Sequence, residues 1–333
     1  MVRRPPAPAY WRNIAPFLRA LPTPETTDRQ RHWLLVLQAK AIPYKFFERG
    51  PLPALYVPPV AAKAALHEIT AFETERPAPP LPLPPDRPGS YWYAALLAVL
   101  IPWHRMRWSS LFPLPCLPAT PRDWLTAGGL DAYRVTVSHE WHRAVTALTL
   151  HADGAHLLSN VVTGALFGIP LCRYTGVGLG FLLTVLAGAV GNIATAYLRH
   201  ASAMSQGFST AVFASVGLLA AFSSAFAARH AYATTKKDRA HAALKHGVFK
   251  GLIPVGAGLG LLAMLGGSEA PGVDYLAHVM GLVAGLVLGL SAAFGAPGVF
   301  RLRGKKNMAL QTASLIASFA LIAVCWAMAL DAS

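Results

Sequence analysis

The sequence predicts an all-α polytopic membrane protein with a small α+β unit ahead of its first span. Three observations carry that class. Of 333 residues, 54% are hydrophobic and only 13% charged, against roughly a quarter charged in ordinary soluble domains. Apolar runs close to 20 residues recur from residue 90 onward, the length a helix needs to cross a hydrocarbon core. Lysine and arginine gather in alternate connections between those runs. The net charge of +14 would suit a nucleic-acid binder if it lay on a soluble surface. Here it is distributed by topology, and no nucleic-acid partner is expected. Cys116, Cys172 and Cys325 are too scattered for a disulfide framework or a zinc site and read as packing residues.

Taken in order, residues 1 to about 22 are rich in proline and arginine and lack the apolar core of a signal peptide. This start is expected to remain cytoplasmic and loosely attached. Pro24 to Ala41 reads as a helix with Trp33, Leu34, Leu37 and Ala41 on one face. Tyr44–Glu48 and Ala54–Val57 read as strands joined through Gly50 and Pro51. Pro59 to Glu75 is helical, with Ala62, Ala65, Leu66, Ile69 and Phe72 as its apolar stripe. Residues 1–76 thus form a small cytoplasmic α+β accessory domain with no ligand motif, its partner unknown. The prolines of 77–89 make a stiff, extended linker.

Residues 90–333 are the membrane domain. A first, short span runs from Ser90 to about Trp103, with Tyr91, Trp92, Tyr93 and Trp103 in the interfacial belts. Residues 104 to about 150 suit a structured loop lying partly in the interface. Six further spans are expected at about 153–171, 177–199, 207–228, 249–266, 274–294 and 309–330. Residues 229–250 and 295–308 are basic, whereas 200–206 and 267–273 contain neither lysine nor arginine. With seven spans the basic loops fall on the side of the N-terminus, which places that end in the cytoplasm and the C-terminus outside.

This topology brings four polar side chains to one depth. The second, fourth and sixth spans all start outside. Asp153 is a natural N-cap for the second, with His156 in the first turn and Asn160 on the same face one turn deeper. Ser209 opens the fourth span and His278 lies one turn into the sixth, after Asp274. Taken alone, a membrane serine bonds its own backbone carbonyls. Converging polar groups inside a bilayer, by contrast, face a cavity or one another. A serine needs a base to become nucleophilic, and a neutral histidine is the usual one. His278 fits that role, and Asn160, His156 and the Ser209 backbone N–H are donors for an oxyanion. Carboxylates occur at this depth only at helix starts, so the arrangement is a dyad and not a triad. Gly281, Gly285 and Gly289 on the sixth span and Ala211, Ala214, Ser215 and Gly217 on the fourth let those two helices approach closely.

These residues resemble the rhomboid family of intramembrane serine proteases over roughly residues 90 to 295. His156 through Asn160 stands as the family's histidine, three residues and asparagine, with His151 as its upstream histidine. Gly207-Phe208-Ser209 stands as G-x-S, with Phe213 as the aromatic four residues on. Ala277 to Gly285 stands as A-H-x-x-G-x-x-x-G. The resemblance implies a six-helix rhomboid-like bundle, here followed by a seventh span at 309–330. It implies Ser209 as nucleophile, His278 as general base, and His156 and Asn160 in the oxyanion hole; His151 and Phe213 are candidate accessory residues, His151 reading more simply as an interfacial hydrogen bonder. The chain would cleave transmembrane protein substrates near their outer ends, without metal or cofactor. Its expected setting is the lipid bilayer of a bacterial inner (plasma) membrane.

Two departures stand out. Thr210 replaces the usual glycine after the serine, where its side chain would crowd the substrate or the oxyanion. The family's Trp-Arg pair reads Trp141-His142-Arg143 here. The runner-up is a catalytically silent rhomboid-like protein that binds membrane clients, a reading only Thr210 favours. A transporter would need polar groups at the membrane midplane or broken helices. Asn192 and Cys325, the polar exceptions, are read as helix packing. His230, His241 and His246 read as solvated residues of a basic loop, and His139 and His142 as outer-loop residues.

Overall fold

The computed structural model describes residues 10–19, 27–47, 54–75, 87, 89–108, 117–199, 204–234, 239–265 and 274–331. The chain divides into two compact units, Met1–Leu81 and Pro82–Ser333. Except for Arg87 and Gly89, the proline-rich linker lies outside the described residues.

In the first unit, β1 (Arg12–Asn13) leads into α1 (Ala15–Arg19), followed by α2 (Thr27–Ala39), β2 (Lys45–Phe47), β3 (Ala54–Val57) and α3 (Ala62–Glu75). The strands form an antiparallel sheet in the order β1-β3-β2, with Arg12 opposite Val57 and Lys45 opposite Tyr56. The expectation of a loose start is corrected here. Ile14 and Leu18, four apart and on one face, are buried with Trp33, Leu37, Leu55, Val57, Ala65 and Ile69. Asn13 Oδ1 accepts from the N–H groups of Ala15 and Leu55, at 3.1 and 3.2 Å. A short polar side chain therefore closes the strand-to-helix corner, and two apolar residues are enough to hold the segment in the core.

The second unit is helical. The expected first span is two short helices, α4 (Trp92–Ala98) and α5 (Leu100–Trp108), broken at Val99. Pro102 explains the break: it offers no N–H to the carbonyl of Ala98, and its ring crowds that carbonyl. The interfacial loop folds into α6 (Pro121–Gly128), α7 (Ala132–Thr136) and α8 (Arg143–Thr149). The long helices follow: α9 (Gly154–Thr175), α10 (Val177–Leu198), α11 (Ser209–Thr234), α12 (Arg239–Leu265), α13 (Tyr275–Gly295) and α14 (Gly304–Asp331). Among the described residues five of these, α9, α10, α11, α13 and α14, are long and apolar enough to cross a membrane. The expected span at 249–266 is the second half of α12, whose first half carries Arg239, Lys245 and Lys250.

Helix α11 is the innermost element, with Ala211, Ala214, Val216, Leu218 and Ala221 fully buried. Its tightest partner is α13. A β-carbon at Gly281 would lie 2.2 Å from the Thr210 carbonyl oxygen, and one at Gly285 2.1 Å from that of Ala214. From the other side, a β-carbon at Gly217 would lie 2.2 Å from the Leu282 carbonyl oxygen. The small-residue seam expected from the sequence is thus a direct backbone contact, which only glycine permits. The seventh span, α14, is seated by the same means: its Gln311 carbonyl would touch a β-carbon at Gly178 at 2.0 Å. Its Trp326 packs at a tilt against Trp103 and edge-on against Trp124 and donates to Thr149 Oγ1 at 3.0 Å.

Candidate active site

Ser209 is the first residue of α11, half-buried, with a short segment before it that is held on several sides. Leu130 and Ser205 exchange backbone hydrogen bonds of 2.9 Å, and the Gly207 N–H donates to Ala147 O at 2.9 Å. The Phe208 N–H donates to His151 Nε2 at 3.3 Å. Arg107 bridges the Gln206 side chain and the His151 carbonyl, at 3.0 and 2.7 Å. Gly207 has φ +137, a conformation that residues with a β-carbon rarely adopt. A β-carbon there would also lie 2.8 and 2.9 Å from His156 Cε1 and Nε2, and 3.6 Å from Asn160 Nδ2. The glycine therefore serves two purposes. It turns the chain into the helix, and it lets the His156 and Asn160 side chains lie against the backbone two residues before Ser209.

Asp153 caps α9 through a 2.8 Å bond from the His156 N–H, and this fixes the first turn that carries His156. Asn160, one turn on, is 5% exposed, and its Nδ2 is buried without a hydrogen-bond partner among the described residues. On α13, Asp274 accepts from the Ala277 N–H at 3.1 Å and pairs with Arg199 at the end of α10. His278, on the following residue, is 4% exposed. Its ring stacks on Phe213, with centroids 4.6 Å apart and an 18° tilt. Phe213 lies one turn after Ser209 on the same face of α11, so the stack holds the imidazole within a turn of the hydroxyl. His278 Nδ1 is also buried and unpaired, and among the described residues no hydrogen bond joins Ser209 to His278. Buried polar atoms are normally satisfied, and an unpaired one calls for an explanation such as a catalytic role or an ordered water. Two such atoms, on α9 and α13, flank the start of α11.

Over this site, residues 138–295 match the family described as "Rhomboid domain". This stretch of the chain is a rhomboid domain. The chain is 31% identical over 178 residues to "RHOMBOID-like protein 4" of Arabidopsis thaliana, covering 53% of this chain and 40% of that protein. It is 32% identical over 162 residues to "RHOMBOID-like protein 6, mitochondrial" of the same plant, covering 49% of this chain and 47% of that protein. The matched region spans less than half the length of either relative.

Within this rhomboid domain the two departures have structural explanations. Thr210 is 3% exposed, and its methyl would lie 3.0 and 3.1 Å from β-carbons placed on Gly191 and Gly281. It is packed between α10 and α13. Arg143 is buried; it bonds Glu140 at 2.5 Å and donates to the carbonyls of Thr126 and Gly129 at 2.9 and 3.0 Å. Trp141 is exposed, so the tie to the end of α6 is made by Arg143 together with Thr146, whose Oγ1 donates to Gly128 O at 2.7 Å. Asn192 donates to Ala144 O at 2.8 Å, and Cys325 is buried; both belong to packing, as expected.

His151 is fully buried and contacts His156 edge to face at 5.3 Å. Because Nε2 accepts from Phe208, the ring proton sits on Nδ1. Burial above all, and then the neighbouring His156, hold its pKa at about 3, so it stays neutral. Sequence reasoning missed Arg107, whose part in clipping the loop to the His151 carbonyl depends on a contact 99 residues away in the chain. Its one legible signal is its place at the end of an apolar stretch. Among the described residues no group of three or more His, Cys, Asp and Glu is placed to hold a metal.

Proposed function

We propose that this chain is an intramembrane serine endopeptidase that cleaves transmembrane protein substrates near the outer face of the bilayer. The observation that carries the reading is the glycine seam between α11 and α13, which stacks His278 on Phe213 within a turn of Ser209. In this mechanism His278 takes the proton from Ser209 Oγ, which bonds to the scissile carbonyl carbon. The carbonyl π pair moves to oxygen, where the Asn160 Nδ2, a His156 ring N–H and the Ser209 backbone N–H stabilise it. The intermediate collapses, the C–N bond breaks, and His278 returns the proton to the leaving amine. Water, deprotonated by the same imidazole, then releases the acyl group from Ser209. His151 and Phe213 position the nucleophile loop and the base.

Orientation follows from the basic loops: the N-terminus is cytoplasmic, the C-terminus outside, and the site opens outward. Both relatives are plant proteins, so the bacterial inner membrane remains an expectation of the sequence reading alone. The alternative, a silent client-binding rhomboid, draws on Thr210, and the burial of that side chain between helices weighs against it.

The test is labelling of the purified chain in detergent with a fluorescent fluorophosphonate. Wild type labels, Ser209→Ala and His278→Ala do not, and Asn160→Ala labels on the order of a hundredfold more slowly. Folded wild-type protein that fails to label would move the assignment to the silent binder.

A further inference from the structure

At the far end of α11 from Ser209, four arginines meet in a cavity of about 340 Å³. Arg229 comes from the last turns of α11. Arg301 and Arg303 come from the connection between α13 and α14, and Arg87 from the segment leading into α4. No carboxylate lines the cavity among the described residues. A second hollow, of about 490 Å³, adjoins it and shares Arg87 and Arg303.

Arg87 is 9% exposed. Its terminal nitrogens donate to Phe300 O at 2.6 Å, Asn307 Oδ1 at 3.3 Å and Thr175 O at 3.4 Å. Its Nε is buried with no partner among the described residues. Burial, and then Arg303, lower its pKa from the ordinary arginine value, the sense of shift that a missing counter-charge produces. Arg229 donates to Ala293 O and stacks over Phe294. Arg301 and Arg303 are exposed at the rim. Like charges brought together without a counter-charge repel, and guanidinium groups do not lose their protons to escape. Such a cluster persists where an anion joins it, and planar guanidinium forks match phosphate.

We propose that this cavity binds the phosphate of an anionic phospholipid. Depth and wall chemistry favour the lipid over a free anion. Arg229 follows Ser209 by 20 residues, about 30 Å of helix, which is one hydrocarbon thickness. The arginines therefore lie at the headgroup level opposite Ser209. The other wall is apolar: Phe222 packs edge-on to Phe300, and Tyr174 to Phe226, a surface for an acyl chain and of no use to inorganic phosphate. Basic hollows between membrane helices are the usual seat of anionic headgroups. Bound there, the phosphate would link the entry to α4, the end of α11 and the start of α14.

The experiment is native mass spectrometry of the full chain in detergent, with equimolar phosphatidylglycerol and phosphatidylcholine added. Thermal melting is followed in parallel with each lipid and with inorganic phosphate. Wild type should retain phosphatidylglycerol preferentially and melt higher with it. The double variant Arg301→Gln/Arg303→Gln should retain about tenfold less. Both side chains are exposed, so the fold should persist. The control Lys305→Gln/Lys306→Gln removes the same charge from neighbouring exposed residues outside the cavity and should retain the lipid as wild type does. Equal retention of the two lipids, or equal loss in both double variants, overturns the site. Stabilisation reproduced in full by inorganic phosphate overturns the lipid.

Discussion

His151 is a buried residue that fixes the backbone leading into Ser209. Its Nε2 holds the Phe208 N–H, one residue before Ser209, and does so only while neutral. The ordinary histidine pKa is 6.5, and the folded value is about 3. Below 6.5 the unfolded chain takes up a proton that the folded chain refuses. The stability contributed by this residue is therefore complete above about pH 6.5 and declines as the pH falls toward 3. The loss is on the order of 1 kcal/mol per pH unit. Melting curves in detergent from pH 7.5 to 4.5 should show it, with a flatter profile for His151→Phe. His151→Ala should also slow fluorophosphonate labelling by roughly tenfold to a hundredfold, because a loosened loop misplaces Oγ. Thr210 makes the opposite case. Since its side chain fills space between α10 and α13, Thr210→Gly should lower stability by about 1–2 kcal/mol, from a lost methyl and a mobile backbone, and should leave labelling no faster. A rise in labelling rate would put the side chain back in the site.

At the scale of elements, the pairing of α11 with α13 is set by glycine. A methyl group at Gly281 meets backbone oxygen, which cannot swing aside as a side chain can. Gly281→Val should separate the helices and abolish labelling, although Ser209 and His278 keep their identities. Gly256→Ala on α12, where nothing lies within 4 Å of the new carbon, should label as wild type and be neutral or slightly stabilising. If both variants behave alike, labelling does not depend on the close approach of α11 and α13. The seam was legible because small residues at four-residue spacing carry a helix-packing signal in any sequence. The break at Val99 was less so, since Pro102 is compatible with either a kink or a stop.

For the whole molecule, orientation is the statement to check. Met204 is exposed beside the site and Lys245 lies in the basic connection. In a chain with Cys116, Cys172 and Cys325 replaced by alanine, Met204→Cys should react with an impermeant maleimide from outside intact cells, and Lys245→Cys only after lysis. The reverse pattern would turn the site to the cytoplasm. The six-helix core with a seventh span behind it is held by α14 against Gly178 and by Trp326 among Trp103 and Trp124. That aromatic cluster draws on residues more than two hundred positions apart.

The sequence alone determined the membrane class and the long apolar helices α9, α10, α11, α13 and α14. These depend on local quantities: apolar length, helical spacing and the placement of charge. Tertiary structure decided that Ile14 and Leu18 belong to a core. It also decided that Thr210 faces neighbouring helices and that Arg107 clips the loop before Ser209. Finally, it brought Arg87 to Arg229, Arg301 and Arg303. Each of these is a contact between distant segments, and no local propensity encodes which of two faces a side chain will find occupied.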